Sequence, residues 1–336
     1  MNLIDRYKRI RSERYLNETY EGSYAFVGLG GHSIANLYPV IRHLGLQLKY
    51  ICVTSERKAA LIGKKFPGVT GTTNLDAVLN DPEVRGVFVA VSPKAHFSIA
   101  KKVLDSGKAL FIEKPPCQTP EELENLITLN KGVAVAGLQK RYAPAVRMLK
   151  KKLEKERLLS YDLHYCTGAY PEGNALLDLY IHPLDLVCHL FGKAEILSCT
   201  PAGSDSYLLT LKHPGVVGTL ELSTHYSWSD AVDSLTVNTV AGVYELDRTE
   251  RLTLTLKPAV VAGIPLEKTG LGKTAFRILY ARNPFSPVLR ENQIYTHGFF
   301  DEIRFFVERT QGRKAKIISD LVSLRDTYSL IKKISK

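Results

Sequence analysis

Residues 24–33 read Tyr24-Ala25-Phe26-Val27-Gly28-Leu29-Gly30-Gly31-His32-Ser33. A short apolar run of this kind is a strand of the type buried on both faces. The glycines break it into a tight turn, and residues 34–43 continue as a helical stretch. Strand, Gly-x-Gly turn and helix in that order make the phosphate-binding corner of dinucleotide folds. Glycine lets the backbone turn sharply and lets a pyrophosphate approach, and the helix start adds amide donors and a positive dipole end. The third small position of the fingerprint is Ser33, which still permits close packing of the helix. The plain alternative is a tight turn that holds no ligand.

Working outward, the alternation continues. Strands are expected at 47–53, 87–91, 109–113 and 133–136, and helices at 56–66, 95–104 and 120–129, with Gly107 where a helix-ending glycine belongs. Continuous apolar strands alternating with helices indicate a parallel sheet covered on both faces. The expectation is a Rossmann-type dinucleotide-binding domain over 23–137. At the tip of the second strand an acid normally contacts the ribose hydroxyls. Here the tip reads Val53-Thr54-Ser55-Glu56-Arg57-Lys58. Thr54 and Ser55 donate to a phosphate and Arg57 pairs with one, whereas Glu56 favours free hydroxyls. The cofactor expected is NADP or NAD, with NADP slightly favoured.

Two further stretches carry chemistry. Lys108-Ala109-Leu110-Phe111-Ile112-Glu113-Lys114-Pro115-Pro116 delivers a lysine, with a carboxylate beside it, to the carboxyl end of a strand, where open α/β sheets bind ligands. In Asp178-Leu179-Tyr180-Ile181-His182-Pro183, the acid and the imidazole are four apart and share a face in a helical turn. A carboxylate that holds an imidazole fixes its tautomer and stabilises its protonated form. The alternative is an N-capping Asp178 and a packed His182. A metal site from His182, Asp185 and His189 lacks a recognisable ligand set, so no metal is expected.

From about residue 158 the texture changes to successive strands, expected at 158–166, 207–211, 216–225, 234–240, 243–246 and 252–256. Strands without intervening helices indicate a largely antiparallel sheet with one free face. The fold class is α/β: an N-terminal Rossmann domain plus a C-terminal α/β domain, 138–336, with a large, mostly antiparallel open sheet. A long irregular stretch is expected at 257–293. Two closing helices, 296–310 and 320–334, are free to pack back on the first domain. Leu220, Leu222, Leu252, Leu254 and Leu256 suggest an apolar free face, and hence a homodimer or homotetramer through the C-terminal sheet.

The 336 residues suit two domains. The formal charge of +11 is spread along the chain without a basic-aromatic cluster, so it suits an anionic small ligand rather than nucleic acid. No apolar run approaches a membrane span and the N-terminus has no apolar signal region, so no membrane partner is expected. The five cysteines form no C-x-x-C and sit among mostly apolar neighbours, which fits a reducing cytoplasm. Residues 1–22 are an extension in which Leu3, Tyr7 and Ile10 share a helical face, expected to pack on its own domain.

Taken together, the chain from Ser23 onward resembles the Gfo/Idh/MocA oxidoreductases. The resemblance rests on Gly28-Leu29-Gly30, Ser92-Pro93, Glu113-Lys114-Pro115, Lys140-Arg141-Tyr142, and Asp178-x-x-x-His182 followed by Asp185, in the family's order and spacing. It implies NAD(P)-dependent hydride transfer at a CH–OH or carbonyl carbon of a sugar, cyclitol or sugar nucleotide. Lys114 and His182 would be catalytic, with Asp178 orienting His182. Cofactor contacts would come from Gly28, Leu29, Gly30, Gly31, His32, Ser33, Thr54, Ser55, Arg57, Ser92, Pro93, His96, Glu113 and Lys114. Substrate contacts would come from Lys114, Arg141, Tyr142, Tyr180 and His182. Tyr180 stands where the family usually has glycine and motivates one alternative to the dehydrogenase, a silent cofactor-binding sensor; the resemblance also implies another, a redox-neutral NAD-dependent glycosidase.

Overall fold

The computed structural model describes residues 2–17, 19–286 and 288–335. The chain forms two compact units. The first comprises Met1–Pro116, Asn125–Ala136 and Glu302–Ile317; the second comprises Cys117–Glu124, Gly137–Asp301 and Ile318–Lys336.

The first unit is built on six strands: β1 Ser23–Val27, β2 Gln47–Cys52, β3 Thr70–Thr72, β4 Val84–Val89, β5 Ala109–Glu113 and β6 Ala134–Gly137. Their order is β3-β2-β1-β4-β5-β6, with β1 to β5 paired in parallel, the doubly wound arrangement. Helix α1 is Leu3–Asn17. Helix α2, Tyr38–His43, follows a π-wound turn at Ser33–Leu37; α3 is Glu56–Lys65, α4 Leu75–Asn80, α5 Pro93–Asp105 and α6 Pro120–Leu129. Ser55 caps α3 and Asn74 caps α4, each accepting from a backbone amide three residues on. The sheet's centre is aromatic. Phe88 packs on Phe26, Phe111 and Phe306 with ring centroids 5.4–6.0 Å apart. Each such ring, fully buried, contributes about 1.5–3 kcal/mol.

β3 and α4 lie outside the sequence expectation. β3 is three residues long and has no apolar side chain. It closes on α3 because Gly71 has no Cβ; one would sit 2.1 Å from the Ala59 carbonyl oxygen. Leu3, Tyr7 and Ile10 of α1 are exposed, so the expectation that the extension packs on its domain is not met.

The second unit has α7 Pro144–Leu153, β7 Leu158–Cys166, α8 Ala175–Asp178, α9 Ile181–Phe191, β8 Glu195–Pro201, β9 Tyr207–His213, β10 Val216–Ser223, β11 Val232–Thr239, β12 Gly242–Asp247 and β13 Arg251–Leu256. A small hairpin of β14 Val260–Val261 and β15 Ile264–Pro265 follows, then β16 Ala275–Ala281, α10 Gln293–Thr296, α11 Phe299–Thr310 (its part from Glu302 belongs to the first unit) and α12 Arg325–Ile334. Eight strands form one sheet in the order β16-β13-β12-β11-β7-β10-β9-β8, antiparallel except where β7 and β10 run parallel.

Two expectations are corrected here. The stretch 257–293 is not irregular throughout: β16 lies within it and forms the sheet edge, while Pro287 lies outside the described residues. Leu220, Leu222, Leu252 and Leu254 are buried, not on a free face. Alternation sends them to the side crossed by α7 and, at β8, by α12. Their neighbours Asp162, His164, Thr219 and Glu221 carry the other side as a polar network, with His164 hydrogen-bonded to Asp162 and Glu221 at 2.6 and 3.0 Å. That side also exposes Leu208, Val217, Phe276 and Ile278, so the exposed apolar residues of the sheet lie opposite the leucines expected to carry them.

Candidate active site

The first unit gathers most of the expected cofactor residues at one edge, because parallel strands point their carboxyl ends the same way. Gly28 ends β1 at φ +83°, and its amide donates to the Cys52 carbonyl at 2.8 Å. A Cβ there would lie 2.3 Å from the Ala90 oxygen, so only glycine fits between the ends of β1 and β4. A Cβ at Gly30 or Gly31 would meet nothing within 4 Å, and both residues are exposed. The turn is thus tight against the sheet and open on its outer side. Leu29 is half-buried; Ser33 is buried, in keeping with a packing role.

At the tip of β2, Thr54 and Arg57 are exposed and Ser55 accepts the Lys58 amide at 3.2 Å as the cap of α3. Glu56 takes a hydrogen bond from Thr73. Ser92 and Pro93 open α5. Glu113 is buried at the end of β5 and bonds the exposed His32 ring at 3.2 Å, so a residue of the glycine turn is tied to the residue before Lys114. Lys114 is half-exposed, and the Lys114–Pro115 bond is cis. His96 differs from its expected role. It is 1% exposed, and its Nδ1 lies 2.6 Å from the Pro115 carbonyl oxygen, so it holds the turn after Lys114 rather than facing a ligand.

In the second unit, Asp178 and His182 are both buried. Asp178 Oδ2 accepts the Asn174 amide at 3.0 Å, while Asn174 caps α8, so the carboxylate is fixed by its own helix start. Three expected substrate residues are committed to the interior. Arg141 is 3% exposed; its Nε donates to Asp185 Oδ2 at 2.7 Å, Nη2 to Asp185 Oδ1, and Nη1 to the Ile318 carbonyl and to Ser323 Oγ. Tyr142 is fully buried, with its hydroxyl 3.1 Å from Ser319 Oγ and accepting the Ile318 amide. Tyr180 is also fully buried, lies edge-on to Tyr165 and Tyr207, and donates to the Asp205 carbonyl. All three side chains lie in the interior of the second unit. A guanidinium and two phenols with saturated interior partners build the unit rather than meet a ligand. Asp185, serving Arg141 and Thr327, is likewise spoken for. Among the described residues no group of three or more His, Cys, Asp or Glu is placed to hold a metal.

A cavity of about 290 Å³ in the second unit was missed by sequence reasoning. Its lining includes Gln139, Lys140, Trp228, Asp233, Arg248 and His297. Lys140, adjacent to Arg141 in the quoted motif, lines this cavity. Its Nζ bonds Asp233 at 2.6 Å and lies 4.8 Å from the Tyr165 ring centroid. Burial holds the His297 ring below the ordinary histidine range despite Glu250 at 3.2 Å. The only signal in sequence was the chain's single tryptophan.

Residues 23–139 match the family model described as "Oxidoreductase family, NAD-binding Rossmann fold". The uncharacterized oxidoreductase YhhX of Escherichia coli is 30% identical over 138 residues, covering 37% of this chain and 40% of the relative. Inositol 2-dehydrogenase/D-chiro-inositol 3-dehydrogenase of Lacticaseibacillus casei is 35% identical over 120 residues, covering 32% of this chain and 35% of the relative. The aligned stretch thus spans less than half of either relative. Levoglucosan dehydrogenase, solved in complex with NADH and L-sorbose, superposes with a TM-score of 0.77 at 17% identity over 94% of this chain and 96% of its own, which shows the shared fold. The glycine turn, the Glu-Lys-Pro strand end and the doubly wound sheet all lie inside the matched segment, so the segment 23–139 matches the NAD-binding Rossmann domain of the Gfo/Idh/MocA oxidoreductases.

Proposed function

We propose that the protein is an NAD(P)-dependent dehydrogenase or reductase acting on a CH–OH or carbonyl carbon of a sugar, cyclitol or sugar nucleotide. The observation that carries this reading is the glycine turn: closed against the sheet at Gly28 and open at Gly30 and Gly31, on the edge where Lys114 emerges. That edge would hold a dinucleotide through Gly28, Leu29, Gly30, Gly31, His32, Ser92, Pro93, Glu113, Thr54, Ser55 and Arg57. A bound nicotinamide supplies the hydride donor or acceptor. Lys114 polarises the substrate oxygen and exchanges its proton, His182 acts as proton partner, and Asp178 orients His182.

NADP stays slightly favoured over NAD. Glu56, the one acid at the β2 tip, is engaged by Thr73, and Arg57 is exposed. The names of the relatives, an inositol dehydrogenase and a levoglucosan dehydrogenase, support a polyol or sugar substrate. The inward packing of the Tyr180 ring favours the dehydrogenase over the silent sensor. No helix among the described residues is long and apolar enough to cross a membrane; a cytoplasmic enzyme fits this and the five free cysteines. A homodimer or homotetramer would use the open sheet side, where Leu208, Val217, Phe276 and Ile278 are exposed beside Asp162, His164 and Glu221, and light scattering reads it directly.

The test is turnover. Purified protein with NADP or NAD and a panel of aldoses, polyols and cyclitols should change the nicotinamide absorbance with at least one substrate. Lys114→Met should keep dinucleotide binding and lose about 100- to 10,000-fold in rate. An unchanged rate in Lys114→Met overturns the assignment.

A further inference from the structure

The β12–β13 hairpin turns through Arg248 and Thr249, at φ +48° and +58°. The Glu250 amide closes the turn onto the Asp247 carbonyl at 3.0 Å. Positive φ at both central residues is the type I′ turn, for which Asn-Gly or Asp-Gly is the favoured pair. A β-branched threonine at positive φ is an outlier, and such strain persists where surrounding structure imposes it and clusters at ligand sites. Here it is imposed from the cavity wall: the Arg248 amide donates to the Asp233 carbonyl at 2.8 Å, and both turn residues line the cavity.

The lining also includes an aromatic platform. Trp228 is 55% exposed, yet its indole N–H is held by the Ala169 carbonyl at 3.0 Å. Its edge lies over Gly168, where a Cβ would come within 2.4 Å of the ring. The ring plane is therefore fixed while much of its surface stays open, which suits the C–H-rich face of a sugar ring. Along the lining, the charges do not balance. Lys140 and Asp233 neutralise each other at 2.6 Å, and burial disfavours charge on His297. Glu250 is taken by Arg282 at 2.8 Å and by His297. Arg248 has only Asp247 at 3.8 Å, both side chains more than 60% exposed, a contact of little strength.

We propose that this cavity binds a monosaccharide bearing one acidic substituent: Trp228 stacks on the ring, the Lys140–Asp233 pair reads its hydroxyls, and Arg248, presented by the strained turn, pairs with the anion. A guanidinium takes a carboxylate or a phosphate bidentately, so the shared chemistry is a single oxyanion on the sugar. The volume, at the lower end of ligand pockets, has room for one ring. Lys114, Asp178 and His182 do not line this cavity, so the inference goes beyond the dehydrogenase reading and rests on it only for the ligand being a sugar.

Because Trp228 is the chain's single tryptophan, its emission reports the cavity without turnover or cofactor. Wild type is titrated with glucuronate, glucose 6-phosphate and glucose, each repeated by calorimetry so that an unresponsive fluorophore is not mistaken for absence of binding. One or both acidic sugars should bind about ten- to a hundredfold tighter than glucose, and which one does so identifies the oxyanion. Arg248→Ala should erase that preference and Arg248→Lys restore part of it. Thr249→Gly should leave thermal stability equal or higher and reduce the preference, because a relaxed turn no longer fixes the guanidinium. Equal affinity for acidic and neutral sugars in wild type, no saturable binding of either acidic sugar, or a preference that survives Arg248→Ala overturns the proposal. Selective binding without turnover on either dinucleotide sinks the dehydrogenase reading and leaves this site standing; turnover of neutral sugars without selectivity does the reverse.

Discussion

Removing the charge from Asp185 should unfold the second unit more readily than almost any other single polar change. Arg141 is 3% exposed and spends its guanidinium on Asp185, Ile318 and Ser323, while Asp185 also accepts from Thr327 Oγ1 at 3.0 Å. In Asp185→Asn the side chain keeps its shape, but an amide NH₂ is turned toward the guanidinium and the arginine charge remains buried without its counter-ion. Breaking one partner of a buried pair costs about 3–5 kcal/mol. Replacing both partners with apolar groups of similar volume is far milder, because no charge is left in the interior. The expectation is therefore asymmetric: Asp185→Asn loses at least about 3 kcal/mol, and Arg141→Met/Asp185→Leu recovers most of it. With a urea slope of about 3 kcal/mol/M, the single variant's midpoint falls by about 1 M. Urea titrations followed by circular dichroism read both variants. A single variant within about 0.5 kcal/mol of wild type, or a double variant worse than the single, refutes the interior role assigned to Arg141.

Gly28→Ala should lower the first unit's melting temperature by about 3–10 °C and abolish dinucleotide binding measured by calorimetry, because the new Cβ meets the Ala90 carbonyl oxygen at 2.3 Å; normal melting and binding would contradict the close approach described. Arg57→Ala should weaken NADP by about 10- to 100-fold and leave NAD nearly unchanged; equal losses, or a clear NAD preference in wild type, end the NADP reading. His213, buried between the Tyr161 hydroxyl at 2.8 Å and the Gly192 carbonyl at 2.7 Å, is held below the ordinary histidine range by burial. Its neutral form is the folded one, so its contribution is complete above about pH 6.5 and is lost as pH falls below that. His213→Asn should flatten the acid side of the stability profile relative to wild type, and identical slopes would count against it.

The first unit was readable because its signals are local. Glycine turns and apolar strands such as Val84–Val89 announce themselves in a few residues. What was not readable depended on partners far away in sequence. Lys140 and Arg141 are adjacent cations, and only the fold decides that Asp185 draws Arg141 inward while Asp233 holds Lys140 at a cavity. Leu220 and Leu222 alternate correctly, but alternation says which residues share a side, not which side the helices cover. β8, Glu195–Pro201, is an edge strand exposed along most of its length, so it lacks the apolar pattern that marks an interior strand. The hairpin at Arg248-Thr249 escaped because those residues contradict the turn chemistry their conformation demands.

Phe306 closes the aromatic centre of the first sheet, edge-on to Phe88 at 5.4 Å and to Phe111 at 5.8 Å. It sits in the segment that rejoins the first unit after about 165 residues of intervening chain. During translation at about 5–20 residues per second, the nascent first sheet waits roughly ten to thirty seconds for that ring. Throughout that interval the rings of Phe88 and Phe111 lack their final cover, and the whole second sheet is made before the first is finished. A ribosome stalled near residue 300 would therefore hold a chain whose oldest domain is the incomplete one, which makes the nascent polypeptide, rather than the finished protein, the species most in need of a chaperone.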